Sequence, residues 1–513
     1  MTRPPQQRVA PAAPRQRRAP LLYRRPSARD GVPVVVHVTA EYSPYARTGG
    51  LGEAVAGLVR AQVRNGLRDV VVFMPFYRQV RKSSHDFQQL GPEQTVRLGE
   101  HEESFRYLTV AGRRSAPRVV FIDAPAYFDR PGLYGDAGLD YPDNHRRFAL
   151  LSLAALHWVH QASPRPVVIH AHDWHAGLVP VYLRRDARFR DATHGVTVVF
   201  SVHNAGYQGR FPSAAIVDLG LEPSLWAPDA LEAYGQLNLL KGGLALSDFV
   251  VTVSPTHALE LRTEEGGFGQ HAMFRALGDR FVGISNGIDQ DLWNPATDPH
   301  IVGTFTSGDL AGKRACKAAL QRELGLSERA DVPLFGMTTR LAEQKGFELV
   351  LRSDRIRSSD AQFVFLGRGD ERYHDALSAL ARERPSHVAS VFAFTDEGEH
   401  RVIAGADFVL MPSLYEPCGL TQMRAQRYGA PVVARRVGGL GDTIADGETG
   451  FLFDEYSPAA LDAAIDRASA AFAQPEALWR MQRLAMARDF GWDGAAERYQ
   501  SVYTAALRRV TAK

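Results

Sequence analysis

From Val34 onward, short runs rich in Val, Ile and Phe alternate with longer stretches of helical period, and this alternation constrains the fold more than any other feature of the chain. It is the pattern of parallel strands joined by crossover helices. Strand runs fall at 34–39, 69–74, 167–170, 196–202, 249–253 and 281–284. A second series follows at 333–338, 362–366, 390–394, 407–411 and 431–434, broken by helical stretches such as 373–383 and 419–428. A chain of 513 residues has room for two large domains, so the expectation is an α/β protein of two doubly wound units, 31–284 and 295–491, joined by a linker at 285–294. Ligands of such sheets bind beyond the carboxyl ends of the strands, which is where functional residues should be sought.

Charge and cysteine usage exclude some function classes. The net charge is +3, yet residues 1–30 hold eight Arg against one acid, Asp30; with +7 in that stretch, the rest of the chain carries −4. A mildly acidic body argues against nucleic acid as a partner. Residues 1–30 lack apolar periodicity and read as a disordered basic tail, with an organelle transit peptide or a polyanion tether as other readings. Cys316 and Cys418 are too far apart for a metal-ligand spacing and too few for a disulfide framework, which suggests a reducing compartment. No apolar run reaches the roughly 18 residues that cross a bilayer, so a cytoplasmic protein with no membrane partner is expected.

Each candidate motif follows a strand. Arg47-Thr48-Gly49-Gly50-Leu51-Gly52 and Val437-Gly438-Gly439-Leu440-Gly441 both place a Gly pair at a helix start, where free N–H groups and the helix dipole favour phosphate. Two such loops in equivalent positions suggest a phosphate-bearing ligand between the domains, and the lack of a Walker loop disfavours an ATPase. Arg340 and Lys345 set two cations on one loop, suited to neutralising a departing diphosphate. The segment His170-Ala171-His172-Asp173-Trp174-His175 is dense in metal-ligand types, but alternate strand residues face opposite ways, and a polar sugar-binding edge suits it better than zinc. His203, Asn204, Tyr207 and Gln208 offer the donors, acceptors and aromatic face that a hydroxyl-rich substrate needs. Asp289-Gln290-Asp291 matches a metal-binding Asp-x-Asp pattern, yet its setting in Ser285–Asp289 reads as a turn. Glu416, with the backbone of Gly419, Leu420 and Thr421, would present a carboxylate beside phosphate-binding N–H groups.

In this order the segments resemble the bacterial glycogen synthase and plant starch synthase family of retaining glycosyltransferases, from about Val34 to Tyr503. The resemblance rests on Thr-Gly-Gly-Leu at 48–51, Tyr-Pro-Asp-Asn at 141–144, His-Ala-His-Asp-Trp-His-Ala-Gly-Leu at 170–178, Ser-Pro-Thr at 254–256, Asn-Gly-Ile-Asp at 286–289 and Glu-Pro-Cys-Gly-Leu-Thr-Gln at 416–422. It implies two facing Rossmann-like domains of the GT-B type with the active site in the cleft between them. The first would be the acceptor domain, the second the nucleotide-sugar domain, and a C-terminal helix at 492–513 would cross back to the first. It implies transfer of glucose from ADP-glucose, with UDP-glucose possible, to the non-reducing end of an α-1,4-glucan with retention of configuration. Asp173, His203, Arg340, Lys345 and Glu416 would be catalytic; Arg47, Gly49, Gly50, Asn286, Cys418, Gly419, Leu420, Thr421, Gly438 and Gly439 would bind the nucleotide sugar; Tyr141, Asp143, Asn144, Asn204, Tyr207 and Gln208 would lie on the acceptor side. Neither metal nor redox cofactor is implied.

Two departures stand out. The family's first loop usually reads Lys-Thr-Gly-Gly-Leu, whereas here the cation is Arg47, which bears on the choice between ADP- and UDP-glucose. The helix after Gln422 reads Met-Arg-Ala-Gln-Arg-Tyr-Gly, more charged than the family's apolar version. Competing readings are a related glycosyltransferase with a small sugar acceptor and a catalytically weak glucan-binding scaffold; a phosphorylase lacks any recognisable pyridoxal-phosphate signature here.

Overall fold

The computed structural model describes residues 33–511 apart from 112–116, 137, 163–165 and 190–194, so the expectation for the basic stretch 1–30 falls outside it. Two sheets organise the described residues. In the first, parallel strands lie in the order Phe281–Gly283, Phe249–Thr252, Val196–Val202, Val167–His172, Val34–Val38, Val70–Pro75 and Arg118–Asp123. An antiparallel edge made by Phe87–Gln89, Gln94–Leu98 and His101–Val110 extends it. The central strands are buried along their whole length, which is why they are continuous Val/Ile runs without alternation. The second sheet is parallel throughout, ordered Val388–Val391, Gln362–Leu366, Leu334–Thr338, Phe408–Met411, Val432–Arg435 and Gly450–Phe453.

Each sheet has one point where the chain, having built outward in one direction, returns to build in the other. In the first sheet it lies between Val34–Val38 and Val167–His172, and in the second between Leu334–Thr338 and Phe408–Met411. Crevices open at such switch points. The loops leaving these four strands carry Glu41 to Gly50, Asp173, Arg340 to Lys345 and Pro412 to Glu416.

The apolar core of the first sheet draws on residues from Val34 to Ile284 and also on Trp492, Tyr499, Tyr503 and Ala506, because the C-terminal helix Asp493–Thr511 packs back on that sheet. The chain therefore crosses between the sheets twice, and the crossings touch: the Ile288 N–H donates to the Phe490 carbonyl at 2.8 Å. A Cβ on Gly287 would sit 2.8 Å from the backbone of Phe490 and Gly491, so this approach needs glycine. Asp289, whose spacing from Asp291 matched a metal pattern, instead accepts the N–H groups of Asp291 and Leu292 and pairs with Arg60, which makes it a turn residue.

Candidate active site

A cavity of about 880 Å³ lies between the two switch points, a size suited to a bound small molecule. From the expected site, its wall contains Asp173, His203, Arg340, Lys345, Glu416, Arg47, Gly49, Gly50, Asn286, Cys418, Gly419, Leu420, Thr421, Asn204 and Tyr207. Gly49 stands at the N-terminus of the helix Gly50–Arg64 with no side-chain cap, and a Cβ there would meet open space. A ligand can thus approach that backbone closely.

On the first-domain wall Asp173 and Glu41 are buried and held by hydrogen bonds, beside the half-buried His203 and Asn204. Asp173 follows the strand Val167–His172 with φ 55°, a left-handed conformation that is costly for a residue with a Cβ. Its Oδ1 accepts the backbone N–H of His203 at 2.7 Å, which ties the loops of two neighbouring strands together. Burial pushes the Asp173 carboxyl up to about 7, against the opposing pull of the His203 and Asn204 N–H groups. Glu41 accepts hydrogen bonds from the Thr48 N–H, the Thr48 hydroxyl and the Tyr134 hydroxyl at 2.8, 2.7 and 2.6 Å, and so holds the Gly-rich loop against the loop before the Asn144–Ala162 helix.

On the second-domain wall the groups are charged. Lys345 Nζ lies 2.6 Å from Glu416 Oε2, which also accepts from the Ser413 hydroxyl. Arg424 is buried, makes two bonds to Glu399 at 2.9 and 3.0 Å, reaches Glu53 on the first domain and lies 4.4 Å over the Trp293 ring. Arg47 forks between Glu53 of its own domain and Asp396 of the other. The charged residue in the helix Thr421–Arg427 thus has a physical reason: Arg424 neutralises Glu399 in the core and ties the two domains together. Arg340 and Arg368 are exposed in the wall and have no carboxylate partner among the described residues, which leaves them available to an anion.

Several expected residues stand behind the wall. Tyr141 lies beneath the guanidinium groups of Arg130 and Arg147, Asp143 pairs with Arg130, and Asn144 is buried, donating to the Tyr134 carbonyl and accepting from Arg147. They brace the loop whose Tyr134 and Asp140 reach the cavity. Gln208 is buried, donating to the carbonyls of Ala205 and Phe268 and accepting from Asn238. Gly438 and Gly439 are also outside the wall: the Gly438 N–H donates to the Glu260 carboxylate at 2.8 Å, and that of Gly439 to the Glu416 carbonyl. The anion at this second helix start is therefore a side chain of the first domain. A Cβ on Gly438 would meet the Glu416 carbonyl oxygen at 1.9 Å, so its glycine serves to seat the 416–418 loop.

Of the histidines dense in the 170–175 segment, His170 and His172 are engaged by groups from other parts of the chain, and His175 is buried against Tyr134 and Trp174. His37, His170 and His172 come close enough to share an ion, but all six of their ring nitrogens have protein hydrogen-bond partners. Sequence reading missed Glu41, Asp396 and Arg424 as wall residues, because their partners come from distant parts of the chain, and missed Arg368, which stands in no recognised motif. Among them only Arg424 left a signal, a charge where an apolar residue was expected.

The starch synthase catalytic domain family matches residues 34–276, and the glycosyl transferases group 1 family matches residues 325–476. The chain is 44% identical over 476 residues to the glycogen synthase of Anaeromyxobacter dehalogenans, covering 91% of this chain and 98% of that protein. It is 40% identical over 480 residues to that of Syntrophotalea carbinolica, covering 92% and 99%. The structure superposes on the catalytic domain of starch synthase IV from Arabidopsis thaliana bound to ADP and acarbose with a TM-score of 0.82 and 33% identity, over 92% of this chain and 99% of that one. Sucrose-phosphate synthase from Thermosynechococcus elongatus shares the fold at a TM-score of 0.58 and 19% identity, over 93% and 99%.

Proposed function

The chain belongs to the glycogen and starch synthase family and is a glycosyltransferase of glycogen or starch synthesis, and from that premise we propose that its donor is ADP-glucose and its acceptor the non-reducing end of an α-1,4-glucan. The observation that carries this reading is the division of the cavity. Arg340 and Arg368, cations without carboxylate partners among the described residues, stand on the second-domain wall, where a diphosphate needs them, and the hydrogen-bonding groups of His203, Asn204 and Tyr207 line the first, where sugar hydroxyls need them.

In this reading Arg340 and Lys345 hold the diphosphate, and Glu416, kept in place by Lys345 and Ser413, contacts the glucosyl unit. Asp173, His203 and Asn286 line the reaction centre, Gly49 and Gly50 let the diphosphate approach the backbone, and Gly419 to Thr421 offer N–H groups to it. Asn204 and Tyr207 receive the glucan, while Tyr141, Asp143, Asn144 and Gln208 act on it through the loops they brace. As the glycosidic bond to phosphate breaks, the acceptor hydroxyl attacks the same face of the anomeric carbon and gives its proton to the departing phosphate oxygen, which retains configuration. Asp173 and Glu416 then oppose the positive charge that develops on the sugar.

A cytoplasmic location fits two buried, unpaired cysteines and the absence, among the described residues, of any helix long and apolar enough to cross a membrane. The deciding experiment is release of ADP or UDP from each glucose donor with and without glycogen. Glycogen-dependent ADP release is expected, and Lys345→Ala should lower it by about 100- to 1000-fold. Release independent of glycogen, or from UDP-glucose alone, would overturn the reading.

A further inference from the structure

Behind His203 lies a buried row of hydrogen-bonded side chains that the transfer reaction as described does not use. His203 Nε2 is 3.0 Å from His172 Nδ1; His172 Nε2 is 3.0 Å from His37 Nδ1; His37 Nε2 is 2.9 Å from the Gln62 side-chain oxygen. The Gln62 amide nitrogen donates to the Tyr503 hydroxyl at 2.8 Å, and that hydroxyl lies 2.7 Å from His170 Nδ1. His37, His170 and His172 have no exposed surface, and Gln62 and Tyr503 have almost none.

A neutral imidazole has one N–H and one bare nitrogen, so in a row each ring fixes the next. The Gln62 oxygen can only accept, which places the His37 proton on Nε2. His37 Nδ1 is then bare and takes the proton of His172 Nε2, and His172 Nδ1 in turn takes that of His203 Nε2. His203 is left with its Nδ1 bare. That nitrogen has no hydrogen-bond partner among the described residues, and the ring forms part of the cavity wall. Burial holds these rings neutral, with His37 and His203 lowered to about 4 and His172 well below its ordinary value.

We propose that Gln62, His37 and His172 are positioning residues that lock His203 in the Nε2–H tautomer, so that it meets the transferred sugar as an acceptor for one of its hydroxyls. This deepens the proposed function and rests on it for the identity of the sugar; the tautomer itself does not. Because Tyr503 belongs to the C-terminal helix, the last element of the chain anchors the far end of the row.

The test reads the ring nitrogens directly. In uniformly ¹⁵N-labelled protein without substrate, with the His203 signals assigned by their loss in His203→Asn, the expected pattern is a protonated Nε2 and a bare Nδ1. The opposite pattern, or a mixture, overturns the proposal whatever the enzyme's donor proves to be. Gln62→Leu removes the terminal acceptor far from the cavity. It should mix the His203 tautomers and lower kcat by about three- to tenfold, with the donor KM changed less than about twofold. A Leu variant whose His203 signals are unchanged, or one with mixed tautomers and an unaltered kcat, would reduce the row to packing. Absence of glycogen-dependent turnover in the native protein would overturn the function and leave the tautomer to be judged by its nitrogen signals.

Discussion

The two walls of the cavity solve the same problem, keeping polar groups fixed where water is scarce, by opposite means. Behind the first-domain wall stands a row of neutral groups, four imidazoles, an amide and one tyrosine hydroxyl, each the partner of the next. The second uses charge against charge, in Lys345 with Glu416 and Arg424 with Glu399. A neutral row can tolerate the loss of one link, because what remains costs at most an unmade hydrogen bond. A buried ion pair cannot, because removing one partner strands the other.

That contrast is broken most forcefully at Arg424. Arg424→Ala leaves Glu399 buried without a counter-charge and removes the reach to Glu53, so a loss of about 3–5 kcal/mol is expected, checked as a fall in thermal or denaturant midpoint. Gln62→Leu on the other wall should cost far less in the same assay. Equal losses would mean that the walls do not differ as described.

Asp173 sharpens the comparison, since it is a buried carboxyl beside that neutral row, with no cation paired to it among the described residues. With its carboxyl raised to about 7, the carboxylate that opposes positive charge on the sugar forms only as pH rises through that value. The kcat/KM of the native enzyme should therefore fall about tenfold for each pH unit below 7. Asp173→Asn should lower the plateau roughly 100-fold and flatten that limb. Stability runs the other way. Between its ordinary value of 3.8 and about 7 the folded state binds the extra proton, so the group's contribution to stability falls as pH rises across that window. The Asn variant should accordingly gain stability relative to the native protein above pH 7. A pH–rate profile unchanged by the substitution would remove Asp173 from the reaction centre.

How far the sequence showed these walls depends on the kind of contact. The strands leading into the cavity were legible because burial on both faces makes each a continuous apolar run, as in Val34–Val38 and Gln362–Leu366. The strands Gln94–Leu98 and His101–Val110 were missed because they alternate buried and exposed residues rich in polar side chains, and Gly450–Phe453 because it opens on a glycine just after Asp446-Gly447, so the run reads as part of a turn. The run expected at 390–394 ends earlier, at Val391, and its last apolar residue, Phe394, stands exposed in the cavity wall. Motif residues were found, but a motif does not say which of its members face the ligand: Asn144, Gln208 and Gly438 are polar or small for reasons of bracing and close approach. The imidazole row joins Gln62, His37, His172 and His203, which no spacing along the chain connects.

The smallest effect is expected where the walls meet, at Arg47. Its planar fork holds one carboxylate from each domain, Glu53 and Asp396, and a lysine ammonium, being a single point, would keep only one of them firmly. Both partners are partly exposed, so each pair contributes no more than about 1 kcal/mol, and Arg47→Lys should raise the donor KM by less than about fivefold. ADP- and UDP-glucose share the diphosphate that a cation at this position would meet and differ only in the base, so the substitution should move both KM values together. A shift in the ratio of the two donors would instead make Arg47 a reader of the base, and would place the nucleotide further toward the first domain than the cations Arg340 and Arg368 indicate.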